Sequence, residues 1–278
     1  MAISSDSIFH FTNSFDSFKS ILSDGLFKTA YCLESYDLDI LSIEAAIPMI
    51  CFSDIPLTMI TSQVRNYGKF AIGLNKKWAA AKKLNPVNYV QRNSSYTNMI
   101  EPIIYDTLAN DPYGSIDIRH TMEKINEHEY LIKNAVDDGR MNKIRMVTAI
   151  LSFTKNYSGI LKRNGKVVKK EYKYYDEREW RYVPSEEEFK QKRLKYYSLM
   201  DGDEYREWRS KSTTKSLIPD LFLEFDHSNI EYLVVSNDKE RKLTIEHLKQ
   251  CHSLFSNDEQ MKILISKIFT IEQINRDF

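Results

Sequence analysis

Cysteine is scarce in this sequence. Cys32, Cys51 and Cys251 are an odd number at unrelated spacings, with no Cys-x-x-Cys pair, which excludes a disulfide framework and a zinc or dithiol redox site of the usual spacing. They read as reduced thiols buried in a cytoplasmic protein. Long apolar runs are missing as well. No stretch reaches the roughly 18 residues of a membrane-spanning helix, and the first fifteen residues carry neither the basic region nor the apolar core of a secretion signal. Net charge is absent, with 39 Lys and Arg against 39 Asp and Glu, which argues against a domain held on nucleic acid by its overall charge. Only 8 Gly and 7 Pro occur in 278 residues, so there is no flexible linker composition, and no internal repeat is visible.

What is present is apolar and aromatic surface. Hydrophobic residues make up 42% of the chain, and 17 Tyr and 14 Phe bring the aromatic share to 12%, enough to offset the entropy of ordering a core. A chain of this length buries roughly three quarters of its unfolded surface, and residues 1–278 read as one continuous domain. Ile8 to Thr12 is a short strand. Ser14 caps a helix whose Phe15, Phe18, Ile21 and Leu22 share a face and which Gly25 ends. Strands are expected at 47–52, 69–74, 179–183, 221–225 and 230–235. Met122, Ile125, Met141, Ile144, Val147 and Leu151 keep helical spacing. Asn164-Gly165 between strand-like flanks predicts a tight hairpin. Ser185 with Glu188 and Thr270 with Gln273 form capping boxes. The charged stretch 185–215 reads as a helical insertion with a solvated face, and helices are expected at 243–254 and 259–268.

The segment richest in chemistry is Tyr174-Tyr175-Asp176-Glu177-Arg178-Glu179-Trp180-Arg181-Tyr182-Val183. Extended backbone places Glu177, Glu179 and Arg181 on one face and Arg178 and Trp180 on the other. Two like charges at that spacing need a cation or water, and such a pair can raise one carboxyl into a catalytically useful range. The alternative is a solvent-exposed strand face balanced by Arg178 and Arg181. His10 is either a core histidine or a ligand contact. Cys51-Phe52-Ser53-Asp54 ends a strand in polar groups, with Asp54 also suited to cap a turn, and Asn66-Tyr67-Gly68 sets an aromatic before another strand. Cys51 has no local base and reads as a buried thiol. His120 with His128, and His247 with His252, lack metal-ligand spacing, so no metal site is expected. Arg163, Lys166, Lys169, Lys170 and Lys173 with Tyr172 and Tyr174 can be read as a nucleic-acid contact or as edge lysines that discourage aggregation.

His10-Phe11-Thr12, Ile21-Leu22-Ser23-Asp24-Gly25, Cys51 to Leu57, Tyr67-Gly68-Lys69, Ile72-Gly73-Leu74, Trp78, Asn85-Pro86-Val87, Glu177 to Arg181 and the closing Thr270 to Phe278 together resemble the AbiGi family of abortive phage infection proteins. The resemblance runs along nearly the whole chain. It implies a bacterial anti-phage role, described for such proteins as that of an antitoxin, hence a toxin partner or a phage-derived trigger. A more distant similarity is to ADP-ribosyltransferases of the His-Tyr-Glu type. It implies an α+β fold with a split mixed β-sheet and helical insertions, and NAD-dependent ADP-ribosyl transfer or NAD cleavage directed at a protein or nucleic-acid acceptor. On that similarity Glu179 is the catalytic carboxylate, with Glu177 upstream of it. His10, Thr12, Ser53 and Tyr67 contact NAD. The carboxylate would stabilise an oxocarbenium-like ribose as nicotinamide leaves, and Glu179→Gln is expected to leave folding intact. Oligomeric state is not legible in the sequence.

Overall fold

The computed structural model describes residues 5–39, 41–109, 140–163, 166–192, 199–212, 216–251 and 254–277. The chain opens with β1 (Ser7–Thr12), α1 (Phe15–Asp24), β2 (Leu26–Asp37) and β3 (Ser42–Ser53). There follow α2 (Ile60–Tyr67), β4 (Phe70–Asn75), α3 (Lys76–Ala81), β5 (Asn85–Pro86), β6 (Asn88–Val90) and α4 (Ser95–Ala109). Next come α5 (Arg140–Ser152), β7 (Thr154–Asn156), β8 (Gly159–Arg163), β9 (Lys166–Tyr172) and β10 (Glu179–Tyr182). The last third holds α6 (Glu186–Gln191), β11 (Met200–Asp201), α7 (Gly202–Lys211), β12 (Leu217–Glu224), β13 (Ile230–Val235), α8 (Asp238–Leu248), α9 (Asp258–Ser266), β14 (Ile268–Thr270) and α10 (Ile271–Asp277).

This is an α+β protein built on one mixed sheet of ten strands, in the order β12-β2-β3-β1-β4-β13-β14, with β10 and β11 on β3 and β5 on β10. Its pairs are antiparallel except β13 with β14. The long β3 is the hub. Its first eight residues pair with β2, and its last four pair with β10. At Ser53 it meets Phe9 of β1 on one edge and Glu179 of β10 on the other.

Alternation along the strands separates two faces. The front carries Ile8, Phe27, Ile50 and Phe52, packed against Phe18 and Leu22 of α1, Trp78 of α3, Leu248 of α8 and Leu264 of α9. The back carries Tyr36, Ile47 and Met49 under Ile100 and Ile104 of α4 and Val147 and Leu151 of α5. Farther along the same face Phe9, Ala71 and Val234 lie under Ile60 of α2 and Ile274 of α10. The gap between these two back-face clusters is where the polar site sits. Among the described residues no helix is long and apolar enough to cross a membrane.

Local signals behave as their chemistry requires. The Ser14 side chain accepts from Ser17 N–H, and Gly25 closes α1 at φ 63° with its N–H on Ile21 O. Ser185 and Glu188 cap each other, as do Thr270 and Gln273. The paired Arg163 and Lys166 flank Asn164-Gly165; that turn lies outside the described residues, as do Met122, Ile125, His120, His128 and His252. The 185–215 segment departs from a merely solvated face. Phe189 and Met200 are buried with Tyr31, Ile218 and Leu221, and Tyr205 and Trp208 pack on them. Strand β2 went unrecognised because Lys28, Glu34 and Asp37 interrupt its apolar residues, although inward and outward positions alternate along much of it.

Gly68 ends α2 with φ 143°, and a Cβ there would lie 2.3 Å from the backbone carbon and oxygen of Thr12. Only glycine lets the chain pass so close to β1. Gly68→Ala is expected to cost at least about 2 kcal/mol in urea unfolding, from backbone strain and the displaced strand together. Gly159→Ala, whose Cβ would meet only Tyr174 Cε2 at 3.3 Å, is expected to shift the curve far less.

Candidate functional site

The segment from Tyr174 to Tyr182 is not continuously extended. Tyr174–Glu177 forms a turn of 3-10 helix, and Arg178 follows in the left-handed region at φ 45°, ψ 50°. The Arg178 carbonyl accepts from Asp54 N–H at 2.9 Å, anchoring this corner to the end of β3. Glu177 therefore enters from the turn and Glu179 from the strand, and both point at the back-face gap. There they meet Lys155 of β7, whose Nζ is 2.7 Å from Glu177 Oε2 and 2.7 Å from Glu179 Oε2.

Arg181 completes the arrangement from two residues along β10. Its Nε donates to Glu179 Oε1 at 2.7 Å, one Nη lies 3.1 Å from Glu34 Oε2 on β2, and the other donates to the Ser152 carbonyl at 2.8 Å. Tyr67 at the end of α2 donates to Glu177 Oε1, and the Tyr89 hydroxyl accepts from Glu179 N–H at 2.8 Å. Relative exposure is 0% for Arg181, 2% for Glu177 and 5% for Glu179. The solvent-exposed reading of this strand is thus excluded. Arg178 takes no part in balancing these acids through an ion pair among the described contacts; its guanidinium lies over the Tyr175 ring at 5.3 Å.

The two glutamates differ electrostatically. Burial by itself would raise the Glu179 carboxyl, but Arg181 and Lys155 outweigh it and hold the group far below the usual carboxylate range. Burial raises Glu177 against the pull of Lys155. Burial and the adjacent Glu177 push the Tyr172 hydroxyl up to about 12 and Tyr67 higher still. Burial disfavours charge on Lys155, yet Glu179, Glu34 and Glu177 keep it a cation well above its ordinary value. Glu179 is thus a permanent, doubly neutralised carboxylate, while Glu177 is the acid whose proton is easier to retain. The Cys51 thiol is raised, first by its contact with Cys32 and then by burial, which disfavours the thiolate a nucleophile needs.

Of the residues singled out in the sequence, Glu177, Glu179 and Tyr67 come together, and Ser53 is the register neighbour of Glu179 on the same face. His10 and Thr12 do not join them. Phe9, Ser53 and Glu179 are adjacent across three strands, so the β1 and β10 backbones lie about 10 Å apart. His10 is one residue out of phase and presents its ring to the front, 4.8 Å from Phe27 and 5.5 Å from Phe52. Its Nδ1–H donates to the Cys51 carbonyl at 3.0 Å, and burial lowers its pKa from the ordinary value. The Thr12 hydroxyl accepts from Ser14 N–H at 3.4 Å. Asp54 pairs with Lys76 Nζ at 2.7 Å and accepts from Ser5 N–H at 3.2 Å. Lys155 and Glu34 were missed. The only signal for them was the need of two close carboxylates for a cation, which does not say where in the chain that cation lies.

Removing the Glu179 charge leaves Arg181 and Lys155 buried without their shared partner. Glu179→Gln is therefore expected to destabilise the fold by about 3–5 kcal/mol at pH 7, a correction to the neutral effect expected from a strand-end carboxylate. Glu177→Gln, which removes a charge that burial already disfavours, is expected to cost under about 1 kcal/mol. Because the Glu179 folded value is depressed, its contribution is complete above the unfolded value of about 4.3 and shrinks as pH falls below it. The raised Glu177 has the opposite sign, and acid relieves it. Urea titrations at neutral pH and at about pH 3 should show the gap between wild type and Glu179→Gln narrowing in acid.

A family profile described as "Putative abortive phage resistance protein AbiGi, antitoxin" matches residues 26–236. That span contains every member of the charge cluster and omits His10 and Thr12. The abortive phage resistance protein AbiGi of Lactococcus lactis subsp. cremoris is 29% identical over 242 residues, covering 84% of this chain and 89% of that protein. No solved structure matches.

Proposed function

The chain belongs to the AbiGi family of abortive phage resistance proteins, and from that premise we propose that it serves anti-phage defence as an antitoxin, a non-catalytic partner that holds a toxin protein in check. One observation carries the preference for binding over turnover: Glu179 is already matched by two cations, each within 2.7 Å. A carboxylate that must stabilise a developing positive charge has to offer it an unspent field. Here Arg181 and Lys155 take that field up before any substrate arrives, and the cluster acts as a rigid cross-link among β2, β7 and β10.

A second reading is kept for a specific reason. Glu177 is a buried, raised carboxyl hydrogen-bonded by Tyr67, beside the Glu179 that the ADP-ribosyltransferase resemblance makes catalytic. On that reading nicotinamide would leave NAD with the electron pair of the glycosidic bond, Glu177 would take the proton of the attacking water or acceptor in place of Glu179, the carboxylate the resemblance makes catalytic but which here stays paired with Lys155 and Arg181, and His10, Thr12, Ser53 and Tyr67 would offer NAD contacts. It requires His10 and Glu177 to serve one ligand from opposite faces of the sheet, which weighs against it.

The two readings separate in one pair of measurements. Co-expression with the toxin should restore growth to the same extent for wild type and Glu177→Gln, and purified protein, alone or with phage lysate, should release no nicotinamide from NAD. Nicotinamide release by wild type that falls about 100-fold or more in Glu177→Gln would replace the antitoxin reading with the enzymatic one.

A further inference from the structure

The β8–β9 hairpin is poorly explained by the fold. Among the described residues it forms a sheet of its own, paired with no other strand. Every residue of β9 from Lys166 to Glu171 is exposed, so the strand is solvated on both faces up to Tyr172, which is buried at its base. A two-stranded hairpin in water is marginal by itself, and Val167 and Val168 remain 54% and 52% exposed. Protection of a sheet edge by lysine does not account for lysines on a strand solvated on both faces.

Charge is concentrated on this element. Between Gly159 and Lys173 the sequence places six basic side chains against Glu171 alone, a net charge of +5 in a chain whose total is zero. At the base of the hairpin the basic stripe runs onto aromatic rings. Tyr157 and Tyr175 are stacked with centroids 5.4 Å apart at 27°. Tyr175 is 37% exposed, and Lys173 Nζ lies 5.5 and 5.6 Å from the two ring centres. Lysines along an extended ribbon that ends at a stacked, partly exposed aromatic pair are the two components of a single-strand binding surface: cations that follow a phosphate backbone and π-faces that receive unpaired bases.

We propose that the β8–β9 hairpin and the Tyr157–Tyr175 pair bind single-stranded nucleic acid, the lysines contacting phosphates and a base stacking at Tyr175 together with the Arg178 guanidinium that lies over its ring. Neutrality of the whole chain is compatible with this, because the attraction is local and acts within about a Debye length of 8–10 Å. An acidic protein segment would also meet the lysines, but it has no use for the stacked rings, and the combination favours the nucleic acid. This surface adjoins the buried cluster, since Tyr172 reaches Glu177 and Tyr89 packs edge-on against Tyr175, but its lysines take no part in that cluster, and the proposal stands whether the protein is an antitoxin or an enzyme.

The test uses the full chain and labelled oligo(dT) and oligo(U) of about 20 nucleotides, read by fluorescence anisotropy. Four phosphate contacts predict affinity falling about 50-fold between about 50 and 200 mM salt. Substituting Lys166, Lys169, Lys170 and Lys173 together by Gln should flatten that dependence and weaken binding at low salt by about 50-fold or more. Tyr175→Ala should weaken it by about 5- to 100-fold with the salt dependence unchanged. A duplex of the same length should bind at least about tenfold more weakly, since its bases are already stacked. Because the lysines are exposed, circular dichroism and melting should match wild type; if the fourfold variant fails to fold, Lys169→Gln and Tyr175→Ala singly carry the test. No binding of either oligonucleotide, binding indifferent to these substitutions, or equal lysine-dependent binding of poly-L-glutamate would overturn the proposal, the last assigning the hairpin to an acidic protein.

Discussion

The Glu179 carboxylate, held between Arg181 and Lys155, is the interaction on which the back of the molecule depends. Charges this deeply buried persist only if each is matched and its remaining hydrogen-bonding capacity is used. Arg181 meets that requirement through Glu179, Glu34 and the Ser152 carbonyl, and Lys155 through Glu177 and Glu179. The partners come from β2, the end of α5, β7 and β10. Each of these elements must therefore be in place before the others are satisfied. Apolar packing on either side of the gap tolerates small shifts, whereas a displaced guanidinium leaves an unmatched charge, so the cluster fixes how the helical layer over β2 and β3 meets the corner before β10.

That arrangement also bears on what the protein does. A Glu-x-Glu element is compatible with catalysis or with structure, and the deciding quantity is whether its charge is available to a substrate. In this chain one glutamate is consumed by two cations and the other is raised by burial. Membership of a family described as antitoxin agrees with a role in which the cluster supplies rigidity and recognition lies at the surface. The solvated basic hairpin is the surface element whose sequence is least explained by folding, and a nucleic-acid contact there gives its lysines and tyrosines a common purpose.

Legibility in the sequence followed the range of the interaction. Ser14 and Gly25 bounding α1, the two capping boxes and the strands near 47–52, 179–183 and 230–235 were readable because caps and alternating apolar patterns act over a few residues. The hairpin around Asn164-Gly165 was readable for the same reason. Strand β2 was not, since its polar residues are licensed by neighbours on β3 and by Arg181 rather than by its own periodicity. For the charge cluster the sequence supplied Glu177, Glu179, Arg181 and the demand for a cation. It could not supply Lys155, 22 and 24 residues from its partners, or Glu34, because nothing local marks a residue for a partner that arrives only on folding.

The amino-acid sequence by itself determined the class of the fold, the family, the helix ends and the pair of acids around which the polar site is built, all of which rest on composition, short-range periodicity or an ordered series of short motifs. Tertiary structure alone decided the rest. It set Glu179 between two cations, turned His10 to the opposite face, drew Glu177 out of the strand through the left-handed Arg178, and packed Phe189, Met200 and Trp208 with Tyr31. The physical reason is common to these outcomes: a strand's side-chain phase, a buried ion's partners and the pKa of a carboxyl depend on which strand lies beside it, and that neighbour is chosen by the packing of the whole sheet.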